Sequence, residues 1–288
     1  MCCIATGPNR SCAGRARSQD RCVVLIPALD EEATIGGVIA DLRRHGFLRI
    51  RVVDNGSSDR TAERARLACA ELVTEPRRGY GRACWAGLQD LPADIEWILF
   101  CDADGSSDLQ HLEQMFTVAA EADLVLGDRR TSQQNRAALS FAQRFGNGLA
   151  TTLIRIGWGH HYADLGPLRL IRREALDRIS MRDRGFGWTV EMQVRALEIG
   201  LRICEVPVRY RSRRGGKSKI SATVSGTLRA GAVIVTTICR LFVIKLLRPL
   251  RAALATPEPY PERQLDGSQP QCGASLQLSP VERSPSCR

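Results

Sequence analysis

Asp102 and Asp104 stand one residue apart, directly after the apolar run 97–101. Two carboxylates with this spacing, just past a strand end, can both approach one divalent cation. Hard oxygen ligands of this kind suit Mg²⁺ or Mn²⁺, with a diphosphate supplying further oxygens. A metal held there would offset charge on a departing phosphate group. An Asp-x-Asp alone is as well read as a solvated turn, and the buried strand before it directs the reading to metal. A second polar cluster, Asp54-Asn55-Gly56-Ser57, also follows an apolar run. Asn-Gly favours a turn with positive φ. That explains Asn55 and Gly56 but leaves Asp54 for a ligand, as an acceptor of hydrogen bonds from a base or ribose. Arg77-Arg78-Gly79-Tyr80-Gly81-Arg82 opens a helix with two glycines; amides at a helix start, with arginines near, favour phosphate. A plain loop is an equal reading, and the pattern is not a P-loop. The basic stretch 211–219 combines arginines, lysines and glycines. It reads either as a solvated charge run or as a phosphate clamp, in which glycines permit motion and arginines grip phosphate oxygens. Contact with nucleic acid calls for interleaved aromatics, and only Tyr210 is close, so no nucleic-acid partner is expected.

The elements that must carry these clusters alternate. Apolar runs at 22–27, 49–53, 72–74, 97–101 and 123–127 read as strands; 30–44, 80–91 and 108–122 read as helices, with a further helix opened by Asp59. Asp30, Asp59 and Asp108 are the expected caps. Strands that are continuously apolar, separated by helices, mean a mostly parallel sheet covered on both faces. In open sheets of this kind, ligands bind beyond the carboxyl ends of the strands, where the polar clusters fall. The second half is less regular. Helix is expected over 137–157, 188–199 and about 221–247, extended chain over 164–171, and strand over 201–210 after Gly200 ends a helix.

The 288 residues are 44% hydrophobic, enough for one substantial core, and the net charge of +10 favours an anionic partner without choosing among nucleic acid, anionic lipid and phosphorylated substrate. Eleven cysteines with no Cys-x-x-Cys pair argue against a disulfide framework or zinc cluster and for reduced thiols. His160 and His161 are adjacent, not spaced as a helical metal pair. The first 21 residues have no apolar segment, so no signal peptide is expected. The stretch 230–247, interrupted by Arg240 and Lys245, reads as an interfacial amphipathic helix rather than a span; packing on the protein's own core or in a dimer contact is the other reading. The expected organisation is a disordered arm at 1–20, a main folded domain at 21–213, a mobile basic loop and amphipathic helices at 214–250, and a disordered tail at 251–288.

Taken together, Val24-Leu-Ile-Pro-Ala-Leu-Asp-Glu-Glu32, Val53-Asp-Asn-Gly-Ser-Ser-Asp59, Gly79-Tyr-Gly81, Phe100-Cys-Asp-Ala-Asp104, Leu126-Gly-Asp-Arg129, Asp164-Leu-Gly-Pro167, Val190-Glu-Met192, Glu205-Val-Pro207 and Gly216-Lys-Ser-Lys219 make the chain resemble glycosyltransferase family 2. The likeness spans about 22–247 and is greatest to the polyprenyl-phosphate branch. It implies the GT-A fold and transfer of a sugar from a UDP- or GDP-sugar. By position it implies that Pro27, Leu29, Glu31 and Asp54 line the nucleoside pocket, with Gly81 and Asp102 on the donor side. Asp102 and Asp104 would bind Mg²⁺ or Mn²⁺. Arg129 and Arg213 would touch phosphate, and Lys217, Ser218 and Lys219 would belong to a closing loop. The family usually has Asn at the place of Asp30, and dolichyl-phosphate enzymes often have Gln at that of Ser106.

The implied reaction is one in-line displacement at the anomeric carbon, with inversion. A polyprenyl phosphate is anionic near neutral pH, its second pKa being about 6, and attacks without deprotonation. A sugar hydroxyl needs a general base, for which Asp164 and Glu191 are the candidates, Asp164 first because a Gly-Pro turn follows it. The expected setting is the cytoplasmic face of a membrane, with peripheral contact. Competing readings are a glycosyltransferase with a soluble acceptor, a nucleotidyltransferase and a nucleotide- or RNA-binding protein without activity. The sugar and the oligomeric state are not legible.

Overall fold

The computed structural model describes residues 19–130, 141–211 and 224–254. The chain divides into two units, Met1–Leu247 and Arg248–Arg288. The first is built on a seven-stranded sheet in the order β3-β2-β1-β4-β6-β5-β7. Its strands are β1 (Cys22–Ala28), β2 (Arg49–Asp54), β3 (Glu71–Thr74), β4 (Trp97–Phe100), β5 (Leu124–Asp128), β6 (Arg169–Arg172) and β7 (Ile203–Pro207). β6 pairs antiparallel with both β4 and β5; the other pairings are parallel. The carboxyl ends of six strands therefore share one edge of the sheet.

The helices are α1 (Ile35–Arg44), α2 (Thr61–Leu67), α3 (Tyr80–Gly87), α4 (Leu112–Val118), α5 (Phe141–Trp158), α6 (Arg173–Ile179), α7 (Trp188–Glu198) and α8 (Val224–Leu254). They cover both faces, which is why β1 is apolar at every step. Val24 and Ile26 join one core with Ile35, Ile39 and Leu42 of α1, and Leu112 and Met115 of α4. Val23 and Leu25 join the other, with Cys84 of α3, Ile154 of α5 and Trp188 of α7. The mostly parallel α/β architecture read from the sequence is thus the observed one. α1 is buried at Ile35, Val38, Ile39 and Leu42, the spacing of one helical face. Gly200 follows α7 at φ 68°, a conformation that suits glycine after a helix end.

Several local expectations change. Asp30 does not cap α1, which starts at Ile35 behind Thr34. It sits at φ 50°, a left-handed conformation that Asn and Asp tolerate best. From there its carboxylate accepts hydrogen bonds from the Ser58 amide (2.7 Å) and hydroxyl (3.0 Å). Asp108 does cap, accepting from the Gln110 amide, though the first turn it opens is 3-10 (Leu109–His111) ahead of α4. The extended stretch at 164–171 proves to contain β6, inserted against the run of the sheet, and α6 after it had no counterpart in the sequence reading. Within 230–247, Ile238 and Leu241 are buried, and the Phe242 ring meets Trp158 of α5 at 5.8 Å. Part of this stretch therefore packs on the protein's own core. Among the described residues, no helix is long and apolar enough to cross a membrane, and all six cysteines are free.

Candidate active site

The loops leaving β1 and β2 are tied to each other. The Glu31 amide donates to the Thr61 hydroxyl at 2.7 Å and the Glu32 amide to Asp59 at 3.1 Å; in return, Glu32 accepts from the Arg60 amide at 3.0 Å. Asp59 also takes the Thr61 amide at 2.9 Å. Burial would raise its pKa, but these bonds outweigh it and hold the carboxyl below its usual range. The interlock fixes a wall on which Pro27, Leu29, Glu31 and Asp54 lie near one another, since Ala28 pairs with Asp54 across β1 and β2. Asp54 is buried and accepts from the Ser57 amide at 3.2 Å. Asn55, read from the sequence as turn chemistry, does more. Its amide nitrogen donates to the Glu75 and Arg77 carbonyls, both at 2.9 Å, and its oxygen accepts from the Gly79 amide at 2.8 Å. It hangs the arginine-rich loop on the end of β2.

Two amides at the start of α3 are already engaged. The Gly81 amide donates to the Gly185 carbonyl and the Arg82 amide to the Arg184 carbonyl, each at 3.0 Å. A Cβ on Gly81 would lie 2.8 Å from the Asp183 carbonyl oxygen. The glycines are there because the 183–185 backbone crosses the helix start, with Arg184 stacked 3.8 Å over Trp85. Of the two equal readings of this segment, the occupied Gly81 amide favours the plain loop over a phosphate contact. Glu191 anchors the same crossing loop. It is buried, and its Oε2 accepts from the amides of Arg182 (2.9 Å) and Asp183 (2.6 Å) while Oε1 takes Arg195 Nε at 2.7 Å. With these bonds it serves the loop rather than a reacting hydroxyl, which argues against the expected base role.

Asp102 and Asp104 follow β4. Asp104 is buried and accepts from the Ser106 amide at 2.9 Å. The segment after them is pinned to the chain beyond β7: the Arg211 amide donates to Ser106, the Asp108 amide to Arg209, and Arg211 Nη2 to Asp108 at 2.8 Å. This brings Tyr210 beside Ser106 and into the field of Asp104 and Asp102; burial, ahead of those charges, raises its pKa. Among the described residues no three His, Cys, Asp or Glu side chains converge on one point. Two hard carboxylates, with the remaining ligands left to diphosphate oxygens and water, fit a Mg²⁺ or Mn²⁺ ion that is shared with its nucleotide.

Arg129, at the end of β5, is held by Asp164. Nε donates to Oδ2 at 2.7 Å, Nη2 to Oδ1 at 3.0 Å, and the Arg129 amide to Oδ2 at 3.0 Å. Asp164 is 1% exposed. Burial alone would raise its pKa, but the charge and hydrogen bonds of Arg129 prevail and lower it. The same pairing overrides burial at Arg129 and raises its pKa. A carboxylate with both oxygens occupied and a depressed pKa is a poor proton acceptor at neutral pH, which weighs against the general-base expectation for Asp164. Arg129 also lies 5.1 Å over the Tyr210 ring, and its Nη1 is not used by the pair. Gly166 is required here, since a Cβ would lie 2.6 Å from the Gly127 carbonyl oxygen.

A support layer behind Arg129 escaped the sequence reading. Arg169 is fully buried, donating to the carbonyls of Gly166 (2.8 Å) and Thr189 (2.6 Å) and to Gln193 Oε1 (3.0 Å). Burial, partly offset by nearby Tyr80 and Asp164, lowers its pKa to about 10. Gln193 in turn donates to the Asp164 carbonyl at 3.2 Å, and Glu205 accepts from the Ala163 amide at 3.0 Å. A lone arginine inside the apolar run 168–171 was the signal available for it. Arg213, Lys217, Ser218 and Lys219 lie outside the described residues.

The model of the family described as "Glycosyl transferase family 2" matches residues 23–180. An uncharacterized glycosyltransferase of Mycobacterium tuberculosis is 37% identical over 214 residues, covering 73% of this chain and 94% of its own. A dolichyl-phosphate hexose transferase of Haloferax volcanii is 31% identical, covering 75% of this chain and 93% of its own. Among solved structures, glucosyl-3-phosphoglycerate synthase of M. tuberculosis bound to uridine diphosphate superposes with a TM-score of 0.64 at 19% identity, over 83% of this chain and 86% of that one.

Proposed function

Since this chain belongs to glycosyl transferase family 2 and is a glycosyltransferase, we propose that it moves a sugar from a UDP- or GDP-sugar to the phosphate of a polyprenyl phosphate, acting peripherally at the cytoplasmic face of a membrane. The observation that carries the acceptor is the Arg129–Asp164 pair: the best-placed carboxylate is spent on fixing a guanidinium. A hydroxyl acceptor would be left without a base, whereas a phosphate needs an oriented cation and no base. The dolichyl-phosphate name of one relative agrees with this choice.

Asp102 and Asp104 would hold Mg²⁺ or Mn²⁺, which supplies positive charge opposite the departing diphosphate. Asp54, Pro27, Leu29 and Glu31 form the wall for the nucleoside. Arg129 binds and orients the acceptor phosphate, whose oxygen attacks the anomeric carbon as the bond to the diphosphate breaks, with inversion. Arg213, Lys217, Ser218 and Lys219 complete the phosphate side in this reading. The test is release of nucleoside diphosphate from a panel of UDP- and GDP-sugars with Mn²⁺ or Mg²⁺, with and without polyprenyl phosphate. Lipid-dependent release that is abolished by Asp104→Ala supports the proposal. Release with a soluble phosphate ester alone keeps the phosphate and discards the lipid; metal-dependent release with a sugar alcohol alone overturns the acceptor.

A further inference from the structure

α5 and α8 pack against each other at one end. A Cβ on Gly157 would touch Phe242 at 3.1 Å, and Lys245 Nζ donates to the Gly157 carbonyl at 2.7 Å. Beside this seam the surface is apolar and exposed: Ile156 76%, Leu246 59% and Val243 51%, with Leu149 one helical stretch away. The charge carried by the two helices themselves is of one sign; beside them, Glu198 of α7 accepts from the Trp158 indole at 3.2 Å. Residues 141–158 and 224–247 carry Arg144, Arg155, Arg229, Arg240 and Lys245 and no Asp or Glu, where the chain's overall acidic content would place about four. The apolar face also leads to the acceptor side. Asn147 of α5 accepts a hydrogen bond from the Leu165 amide at 2.8 Å, one residue from the aspartate that holds Arg129.

We propose that this face of α5 and α8 lies on an anionic lipid surface and brings the Arg129 site to it, a placement that rests on the polyprenyl-phosphate reading of the acceptor. Exposed aliphatic side chains on helices with a clear excess of basic residues match the two demands of an interfacial helix, apolar insertion and attraction to anionic headgroups. A second copy is the poorer occupant, because two such faces would oppose five cations to five across the pair of helices, with Glu198 the carboxylate seen beside them. A span is the poorer arrangement, because Arg240 and Lys245 interrupt α8.

The experiment is co-sedimentation of the full chain with phosphatidylglycerol vesicles and with phosphatidylcholine vesicles, both free of polyprenyl phosphate. It is repeated with Ile156→Glu/Val243→Glu and with Ile156→Ser/Leu246→Ser, the milder pair covering the case in which added charge upsets folding. The expected result is partitioning onto anionic vesicles that weakens in about 0.5 M salt and drops about tenfold or more in either pair. Turnover on a short-chain polyprenyl phosphate dispersed in detergent is measured in parallel and stays unchanged in the variants. That arm reports on the acceptor alone, so failure of the acceptor reading shows there while vesicle binding reports on the surface. No partitioning, equal partitioning by the variants, or a lipid-free dimer that the variants lose would each overturn the proposal.

Discussion

Asp164→Asn separates the holding role from the base role. The substitution keeps the shape but removes the charge and presents an amide to guanidinium and backbone donors that lie 2.7 to 3.0 Å away. One Asn oxygen can still accept, so at least one donor loses its partner. The pair is buried, 14% exposed at Arg129 and 1% at Asp164, so solvent does little to compensate. Breaking one side of a buried pair costs about 3–5 kcal/mol, because the remaining charge is left unpaired. Urea unfolding is therefore expected to show a loss of about 3 kcal/mol or more. Because the folded pKa of Asp164 is depressed, its stabilisation is fully present above the unfolded carboxyl pKa of about 4 and fades as pH falls below it; the variant lacks that acid-dependent part. Arg129→Ala with Asp164→Ala should cost less than the two singles summed, with a coupling of about 1–3 kcal/mol. A general base behaves otherwise: Asn would leave stability near normal, lower kcat by about a hundredfold or more, and erase a limb of the pH–rate profile. That outcome, or strict additivity of the two alanine variants, would refute the reasoning.

Gly81→Ala pushes a methyl group to within 2.8 Å of the Asp183 carbonyl oxygen; the crossing loop must shift, and a stability loss of about 1–3 kcal/mol by thermal or urea unfolding is expected. Glu191→Ala strands two loop amides and one arginine, which should cost about 2 kcal/mol or more while the pH profile of residual turnover keeps its shape. Leu25→Ala, in the second core beside Gly87, should cost about 2–5 kcal/mol in the same assay.

The strands of the first half were legible because burial on both faces demands apolar residues at consecutive positions, and Val23 through Ile26 supply them. The clusters at their ends were legible because a polar run that interrupts such strands has one edge of the sheet to occupy. The insertion of β6 was not legible, since four residues of pattern say nothing about which strands they join or in which sense. Nor was the pairing of Arg129 with Asp164. Each was singled out for chemistry, but 35 residues separate them, and their contact depends on a Gly127–Gly166 crossing visible only in three dimensions. The arginine-glycine loop stayed an even choice for a related reason: a helix start suits phosphate only when its amides are free, and those of Gly81 and Arg82 are taken by a loop about a hundred residues away.

The most direct test of the account compares kcat/KM for a polyprenyl phosphate and for the polyprenol of the same chain length, with the same nucleotide-sugar and metal, from about pH 5 to 9. The account predicts turnover with the phosphate and essentially none with the alcohol, and an ascending limb near the acceptor's own second pKa of about 6 that persists in Asp164→Asn and Glu191→Ala. Comparable turnover of the alcohol, with a limb that either substitution removes, would contradict it.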